Sequence, residues 1–492
     1  MSMTDDSLDP PLSFPARVVR LARSPRNFAK YRMRRWLDVD VPEPDREIHR
    51  IAVPLQASGD PLAILDSVDL GFVRRFDPDA AAADVMGASV EPALFAMRDA
   101  CRANRQRLFL IDGKRTLPAD ETRIREMAQA HQFAVAVRGS GGAINSIRNV
   151  NVWRDEGAYL RCFAPRQVLP VMPGDSTVDV PVATELSRDF PVDAVYTWVN
   201  AADPDWQDLI APYREATRPD PDRFAQLDEL KYSLRSLASY APWVRTIYIV
   251  SNCAPPAWLK AHRKIRWIRH EEIIPAEYLP TFNSHAIETF LHRIDGLSEQ
   301  FIYLNDDFML ADHAHKAHFF DHRGRAISRL EPYGAVLKIP PLLDSGEAQE
   351  WQSAAMNGAR MIEARFGTFP MRLHQHCPFA LCRSDYAAME DEFSDAIRTT
   401  RAARFRSHDD VSFTSFLYHH YVAENGRGVR SSAAVKIVRP TNHGHFRRDY
   451  WKSPIDFFCV NDGSGSALDP AYAAFKTKFL PEAFPLMAPW ES

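Results

Sequence analysis

Asn305, Asp306 and Asp307 follow directly on the apolar run FIYL (301–304). Adjacent carboxylates at the end of a strand can hold Mg²⁺, which takes a few protein oxygens and leaves room for substrate phosphates. One of them can instead act as a general base. The plainer reading of the same triplet is a strand-to-helix turn with an Asp as cap. A second concentration of chemistry lies in 401–410, where Arg401, Arg404, Arg406, His408, Asp409 and Asp410 crowd into ten residues. Arginine suits phosphate because its planar fork donates two hydrogen bonds at once, and His408 or Asp410 could move protons. The plainer reading here is a charged loop with Asp409 or Asp410 capping the helix that follows. LHQHCPFAL supplies His374 and His376, near Arg372 and Arg383. The run His313, His315, His318 and His322 has no cysteine partners, and reads as a solvated loop before it reads as a metal site.

These residues need elements to position them. VDAVYTWV (192–199), TIYIV (246–250), KIRWI (264–268) and FIYL (301–304) are short, β-rich and apolar, as buried strands are. DELKYSLRSLASYA (228–241), SHAIETFLHRIDGL (284–297) and VSFTSFLYHHYVAE (411–424) read as helices. Strands alternating with helices predict an α/β fold with a mainly parallel, doubly wound sheet. Ligands in such sheets bind beyond the carboxyl ends of the strands, where Asn200 and Asp203 lie as well as 305–307. Upstream, 47–170 reads as a smaller α/β unit: strands REIHRIAVPL, QRLFLID and FAVAVRG, and helices EPALFAMRDACRAN and ETRIREMAQAHQ. The glycines Gly139, Gly141 and Gly142 read as a plain turn rather than a phosphate cradle.

The 492 residues allow two to four domains, and 46% hydrophobic with 25% charged residues is ordinary globular composition. A net charge of −4 argues against a globally basic nucleic-acid binder. No stretch has the roughly 20 apolar residues of a membrane span, and the start, MSMTDDSLDP, lacks the order of a signal peptide. Six scattered cysteines read as buried thiols of a reducing compartment, so a cytoplasmic location is expected. Residues 17–35 hold eight basic residues, no acid and interleaved aromatics. Such a segment is a solvated arm or a peripheral contact with an anionic membrane. The expected organisation is a basic arm (1–46), an N-terminal α/β domain of unassigned role (47–190), a catalytic domain (191–465) and a C-terminal tail (466–492).

Four stretches together resemble the Stealth family of sugar-phosphate transferases: VDAVYTWVNAADPDW (192–206); RFAQLDELKYSLRSLASYAPWVRTIYIVSN with LPTFNSHAIETFLHRIDGLSEQFIYLNDDFML (223–310); NGARMIEARFG, RLHQHCPFAL and RFRSHDDVSFTSFLYHHY (357–421); and FFCVNDG (457–463). Ala201 stands where the family has glycine, and Lys231 in place of its usual arginine. The resemblance implies transfer of a sugar-1-phosphate from a nucleotide sugar, UDP-linked, to a saccharide hydroxyl, building capsular or exopolysaccharide and releasing UMP. It implies a nucleotide-sugar-binding sheet and a Mg²⁺ or Mn²⁺ cofactor held by Asp306 and Asp307. Catalysis would fall to Asp307, His376, Arg404, Arg406 and Asp410. Asn200, Asp203, Arg223 and Asp228 would bind the donor, and Asn283, Ser284 and Glu288 the acceptor. The alternatives are a glycosyltransferase that releases UDP and a non-catalytic scaffold of capsule assembly.

Overall fold

The computed structural model describes residues 60–71, 82–164, 171–173, 190–213, 227–463, 466 and 469–492. The basic segment 17–35, the first expected strand (46–55), most of the stretch before residue 190, and Arg223 lie outside them.

The N-terminal unit runs β1 (Ala82–Met86), α1 (Gly87–Ala103), β2 (Arg107–Asp112), β3 (Arg115–Pro118), α2 (Glu121–Met127), β4 (Gln132–Arg138), β5 (Ile144–Asp155), β6 (Tyr159–Cys162) and β7 (Val171–Pro173). Its sheet is ordered β3-β2-β4-β5-β6-β7, with β1 added parallel to β5. The glycine turn joins β4 to β5: Gly139 N–H donates to the Ala143 carbonyl at 3.0 Å, and Gly142 takes a positive φ of 91°. Alternation along β4 serves two cores. Phe133, Val135 and Val137 pack with Val90, Leu94 and Met97 of α1. Ala134 and Ala136, on the other face, join one contiguous core with the rest of the chain.

The second unit is built on β8 (Val192–Thr197), α3 (Pro204–Ile210), α4 (Glu229–Tyr240), β9 (Ile247–Val250), β10 (Ile265–Ile268), α5 (Ser284–Glu288), β11 (Gln300–Asn305), β12 (Phe308–Leu310), β13 (Ile327–Arg329), α6 (Glu350–Phe366), β14 (Phe379–Cys382), β15 (Val429–Ser431), β16 (Val435–Val438), β17 (Phe457–Val460) and α7 (Pro470–Ala483). Its main sheet is ordered β10-β9-β8-β11-β14. The first three pairings are parallel and the last is antiparallel. The chain leaves β8 toward β9 on one side and returns to β11 on the other. The strand order therefore reverses between β8 and β11, which is where α/β sheets open a crevice. A smaller sheet, β12-β17-β16, lies beside it. The buried serines of α4 bond its edge: Ser233 Oγ donates to the Phe308 carbonyl, and Ser236 Oγ accepts from Leu310 N at 3.0 Å.

Three expectations need correction. The helix expected over 284–297 stops at Glu288 and resumes only as a short 3₁₀ turn, Leu291–Arg293. Thr289 ends it by turning its hydroxyl onto the Ala286 carbonyl at 2.7 Å, the side-chain competition that disfavours Thr in helices. The segment after 465, expected as a tail, contains α7, whose Tyr472, Phe475, Phe479 and Leu480 are in the core. The histidine run is not a solvated loop. His313 bonds the Ile111 carbonyl at 3.3 Å and His315 meets Gln132 at 2.6 Å, so the run seams the two units together.

Candidate active site

β11 ends at Asn305, and Asp306 and Asp307 make the turn into β12. This is a strand-to-strand corner, not the strand-to-helix cap. The antiparallel register sets Cys459 of β17 opposite Phe308. Its thiol therefore donates to Asp307 Oδ2 at 3.0 Å, while the other carboxylate oxygen, Oδ1, is buried with no hydrogen-bond partner among the described residues. Burial pushes the Asp307 carboxyl up to about 7; the Cys459 bond opposes this, and the charges of Asp462 and Glu229 reinforce it. His376 stands edge-on to Phe308 with ring centroids 4.7 Å apart. Burial pushes its imidazole down to about 4, with Arg439 and Arg406 adding to the effect. Ligand atoms of Asp307, His376 and Cys459 lie within 4.8 Å of one another.

A buried ion cluster supports this corner. Lys476 of α7 reaches Glu229 at 2.7 Å and Asp462 at 2.9 Å. Lys476 and Glu229 are 3% and 2% exposed, so the ammonium compensates two carboxylates inside the protein.

The second half of the site forms where the 401–410 segment meets the start of α5. Asn283 caps α5 by accepting from His285 N at 3.0 Å. Arg406 donates to Ser284 Oγ through Nε (3.1 Å) and a terminal nitrogen (2.7 Å). The Arg406 charge acts on both His376 and Glu288, so it sits between the corner and α5. Burial raises Glu288 to about 7, opposed by a Thr414 hydrogen bond, the Arg406 charge and a Tyr303 hydrogen bond. Tyr303 lies on β11 and shares its hydroxyl with Thr197 of β8 at 2.7 Å, which ties the pocket to the two strands at the crevice.

Asp410 is fully buried. Its Oδ2 accepts from Asn283 Nδ2 (3.0 Å), His285 Nδ1 (3.1 Å) and Ser407 N (2.9 Å). That geometry locks the arginine loop to α5 and keeps the carboxylate away from solvent, an anchoring role rather than proton transfer. Arg404 donates to the Pro280 carbonyl at 2.8 Å and lies 4.5 Å over the Tyr213 ring. Arg401 is taken by Glu390 (2.6 Å) and Thr289, which leaves it bracing the fold. His408 meets Ser353 of α6 at 2.8 Å. His374 accepts from Arg329 N at 3.0 Å and is buried in the core.

Beyond β8, Asn200 Oδ1 accepts from Ala202 N at 3.0 Å and turns the chain. Asp203 caps α3: Oδ1 accepts from Trp206 N and Oδ2 from Ala254 N, each at 2.9 Å. With both oxygens bonded to backbone amides, Asp203 shapes the loop. Asp228 is exposed at the start of α4 with a left-handed φ of 63°, a conformation strained for a residue with a side chain. Asp306 is half-buried, and its charge reaches the buried Tyr196 phenol.

The structure thus brings together Asp307, His376, Arg406, Ser284 and Glu288, braced by Asn283 and Asp410. Cys459, Lys476, Glu229 and Tyr303 were missed from sequence. Cys459 is mid-strand in FFCV and Lys476 resembles any helix-surface lysine; only the acid of the NDG that follows Cys459 hinted at chemistry there.

Three segments match models of Stealth proteins: conserved region 1 at residues 190–218, conserved region 2 at 223–327 and conserved region 3 at 375–424. The capsular polysaccharide phosphotransferase SacB of Neisseria meningitidis serogroup A is 39% identical over 326 residues, covering 62% of this chain and 58% of that one. An exopolysaccharide phosphotransferase of Streptomyces coelicolor is 40% identical over 321 residues, covering 62% and 52%. One of Nocardia farcinica is 36% identical over 318 residues, covering 61% of each. The chain therefore spans between 52% and 61% of the length of these curated relatives. Among solved structures, the galactosyltransferase LgtC with donor and acceptor sugar analogs aligns at a TM-score of 0.33 and 10% identity, covering 60% of this chain and 95% of that one. Among the described residues, no helix is long and apolar enough to cross a membrane.

Proposed function

We propose that the chain is a Stealth-family sugar-1-phosphate transferase of capsular or exopolysaccharide synthesis, a reading supported by the three matching segments and by the phosphotransferases it resembles. The donor is a nucleotide sugar, a UDP-hexose or UDP-N-acetylhexosamine, and the acceptor is a saccharide hydroxyl. The observation that carries this reading is the position of Arg406. Its guanidinium is held by Ser284 at the N-terminus of α5, between neutral His376 and buried Glu288. A cation with planar donors, fixed beside a proton acceptor, is what attack on a phosphorus needs.

The acceptor oxygen attacks the β-phosphorus and a new P–O bond forms. The bond from that phosphorus to the bridging oxygen breaks, and UMP leaves with the electron pair. His376 takes the acceptor proton, because with a pKa of about 4 it is neutral at working pH. Arg406 meets the charge that grows on the transferring phosphoryl oxygens, with Arg404 behind it. Glu288, with Asn283 and Ser284, orients the acceptor. Asn200, Asp203, Arg223 and Asp228 remain the donor-side candidates, with Asp203 acting through the loop it caps.

The buried Oδ1 of Asp307, without a hydrogen-bond partner among the described residues, fits a cation-binding carboxylate. Asp306 and Asp307 would hold Mg²⁺ or Mn²⁺, which supplies positive charge to the donor diphosphate. A cytoplasmic site of action with peripheral attachment through residues 17–35 belongs to the same proposal. Sedimentation with anionic vesicles should weaken with salt and vanish when residues 1–40 are removed.

The experiment that tests the reaction is incubation of the pure chain with UDP-N-acetylglucosamine and an oligosaccharide primer, followed by separation of nucleotides. UMP formed in step with a phosphodiester-linked product is expected. UDP in its place assigns glycosyl transfer, and neither nucleotide above a donor-only control assigns a scaffold.

A further inference from the structure

Apart from Asp306, the donor atoms around Asp307 are not those a magnesium ion chooses. Mg²⁺ takes oxygen ligands in near-ideal octahedral geometry. Here one carboxylate, one imidazole and one thiol converge, with ligand atoms within 4.8 Å of one another. We infer that Asp307, His376 and Cys459 form a three-ligand site for a borderline-soft divalent ion of the Zn²⁺ or Co²⁺ class. An ion seated there holds the enzyme inactive.

The pairing of β12 with β17 builds the site. Phe308 lies opposite Cys459, and Val460 N donates to the Asp307 carbonyl at 3.1 Å, which fixes the carboxylate beside the sulfur. The edge contact of His376 with Phe308 sets the imidazole on the same corner. Zinc-type ions bond sulfur at about 2.3 Å and nitrogen or oxygen at about 2.0–2.2 Å. Tetrahedral ligands at such lengths stand roughly 3.5 Å apart, so side-chain adjustments of an ångström or less close the set. The buried Asp307 Oδ1, without a partner among the described residues, is a second and independent sign that this corner is built for a charge it does not itself contain. Cys459 is fully buried, but Asp307 and His376 are each partly exposed, so an ion enters from the pocket side.

Binding replaces the Cys459 proton, now shared with Asp307, by the metal and releases that proton to solvent. Three protein ligands leave a fourth position open for water or an anion oxygen. Softness sets the preference: thiolate and imidazole favour Zn²⁺ and Co²⁺ over Mg²⁺. The inference shares Asp307 and His376 with the phosphotransfer reading but does not need it, because metal binding is read by absorption without substrate.

The test uses the full chain, stripped of metal and titrated with Co²⁺ in excess Mg²⁺. A thiolate-to-cobalt charge-transfer band in the near ultraviolet is expected, together with the visible bands of a four-coordinate ion, and Zn²⁺ should bleach both. Cys459→Ser should lose the charge-transfer band, and His376→Gln should weaken Co²⁺ binding by at least about tenfold. No charge-transfer band in the wild-type chain, a band that survives Cys459→Ser, or displacement of Co²⁺ by Mg²⁺ overturns the site. Should Cys459→Ser fail to fold, the wild-type spectrum and the partly exposed His376 variant decide. If the chain turns over, Zn²⁺ should stop UMP release and a chelator restore it. A zinc-loaded chain that turns over normally overturns the inhibitory role alone and leaves the UMP result standing.

Discussion

Arg406 carries a charge felt on both sides of the pocket, by His376 and by Glu288. Arg406→Ala should lower kcat by about 10²–10³-fold with KM little changed, because the charge it meets grows only in the transition state. Arg406→Lys should recover little of this, since an ammonium cannot fork between Ser284 and a phosphate. Steady-state kinetics with UDP-N-acetylglucosamine checks both, and a wild-type kcat in the alanine variant removes Arg406 from the reaction. Glu288 makes a prediction about pH. Its folded pKa of about 7 lies above its ordinary 4.5, so the folded state holds a proton that the unfolded chain has released. That contribution is whole below pH 4.5 and is lost as pH rises through 7, a cost on the order of 3 kcal/mol above neutrality. Glu288→Gln removes the titration. The melting temperature of the variant relative to wild type should therefore be higher at pH 8 than at pH 5, and an equal difference at the two values would refute it. Much of this pocket was legible because its residues sit in dense polar runs within apolar surroundings. NDD, NSHAIE and RFRSHDD are such runs. Cys459 and Tyr303 were not legible, since inside FFCV and FIYL they carry only the look of core.

Among the elements, short α5 depends on what holds its first turn. Asp410 gathers Asn283, His285 and Ser407 onto one oxygen, so the arginine loop and α5 move as one piece. Asp410→Ala should cost about 3 kcal/mol, because it strands two buried donors and one partly buried, and it should lower kcat by misplacing Arg406 and Ser284. Asp410→Asn should keep most of the fold. Its amide oxygen can replace Oδ2, and its amide nitrogen falls where Oδ1 has no partner among the described residues, a loss of about 1–3 kcal/mol. Urea denaturation of the two variants tests the order, and equal losses would count against the single-oxygen geometry. Four of the five strands of the main sheet were readable from sequence to within two residues, because short apolar runs between turn residues leave little choice, whereas β14 was not read as a strand. The 284–297 helix was not, because its apolar spacing continues past Thr289 while the backbone hydrogen bonds do not. The 411–424 helix begins as a π turn, Phe413–Leu417, before the regular turns of Tyr418–Glu424, and the spacing carries no sign of that either.

At the scale of the molecule, the sequence marks a boundary near 190 that the packing crosses. Ile111, Ala134, Ala136 and Ile144 of the N-terminal unit belong to the same core as the strands of the main sheet. Lys114 reaches the carbonyls of Tyr450 (2.7 Å) and Ser453 (2.5 Å), and Ile144 N donates to the Met487 carbonyl at 2.9 Å. At the far end of the chain, Arg235 of α4 is paired with buried Glu491 at 2.7 Å. Contacts this numerous and dry make the two units one cooperative structure rather than beads on a linker. The consequence is sharpest at Ala136. It is fully buried on the face of β4 that joins the shared core, while Val135 and Val137 beside it face α1. Ala136→Asp places an unpaired carboxylate at that junction without touching the pocket, and burying such a charge costs more than about 3 kcal/mol. If the units fold together, the cost falls on both. Hydrogen exchange should rise in parallel in peptides from β4 and β5 and in peptides from β8 and β11, with one thermal transition moved to lower temperature. If the units were independent, protection of β8 and β11 would stay at the wild-type level while the N-terminal sheet alone opened. That outcome would make the N-terminal unit an appendage; the shared core predicts that it holds up the floor of the main sheet.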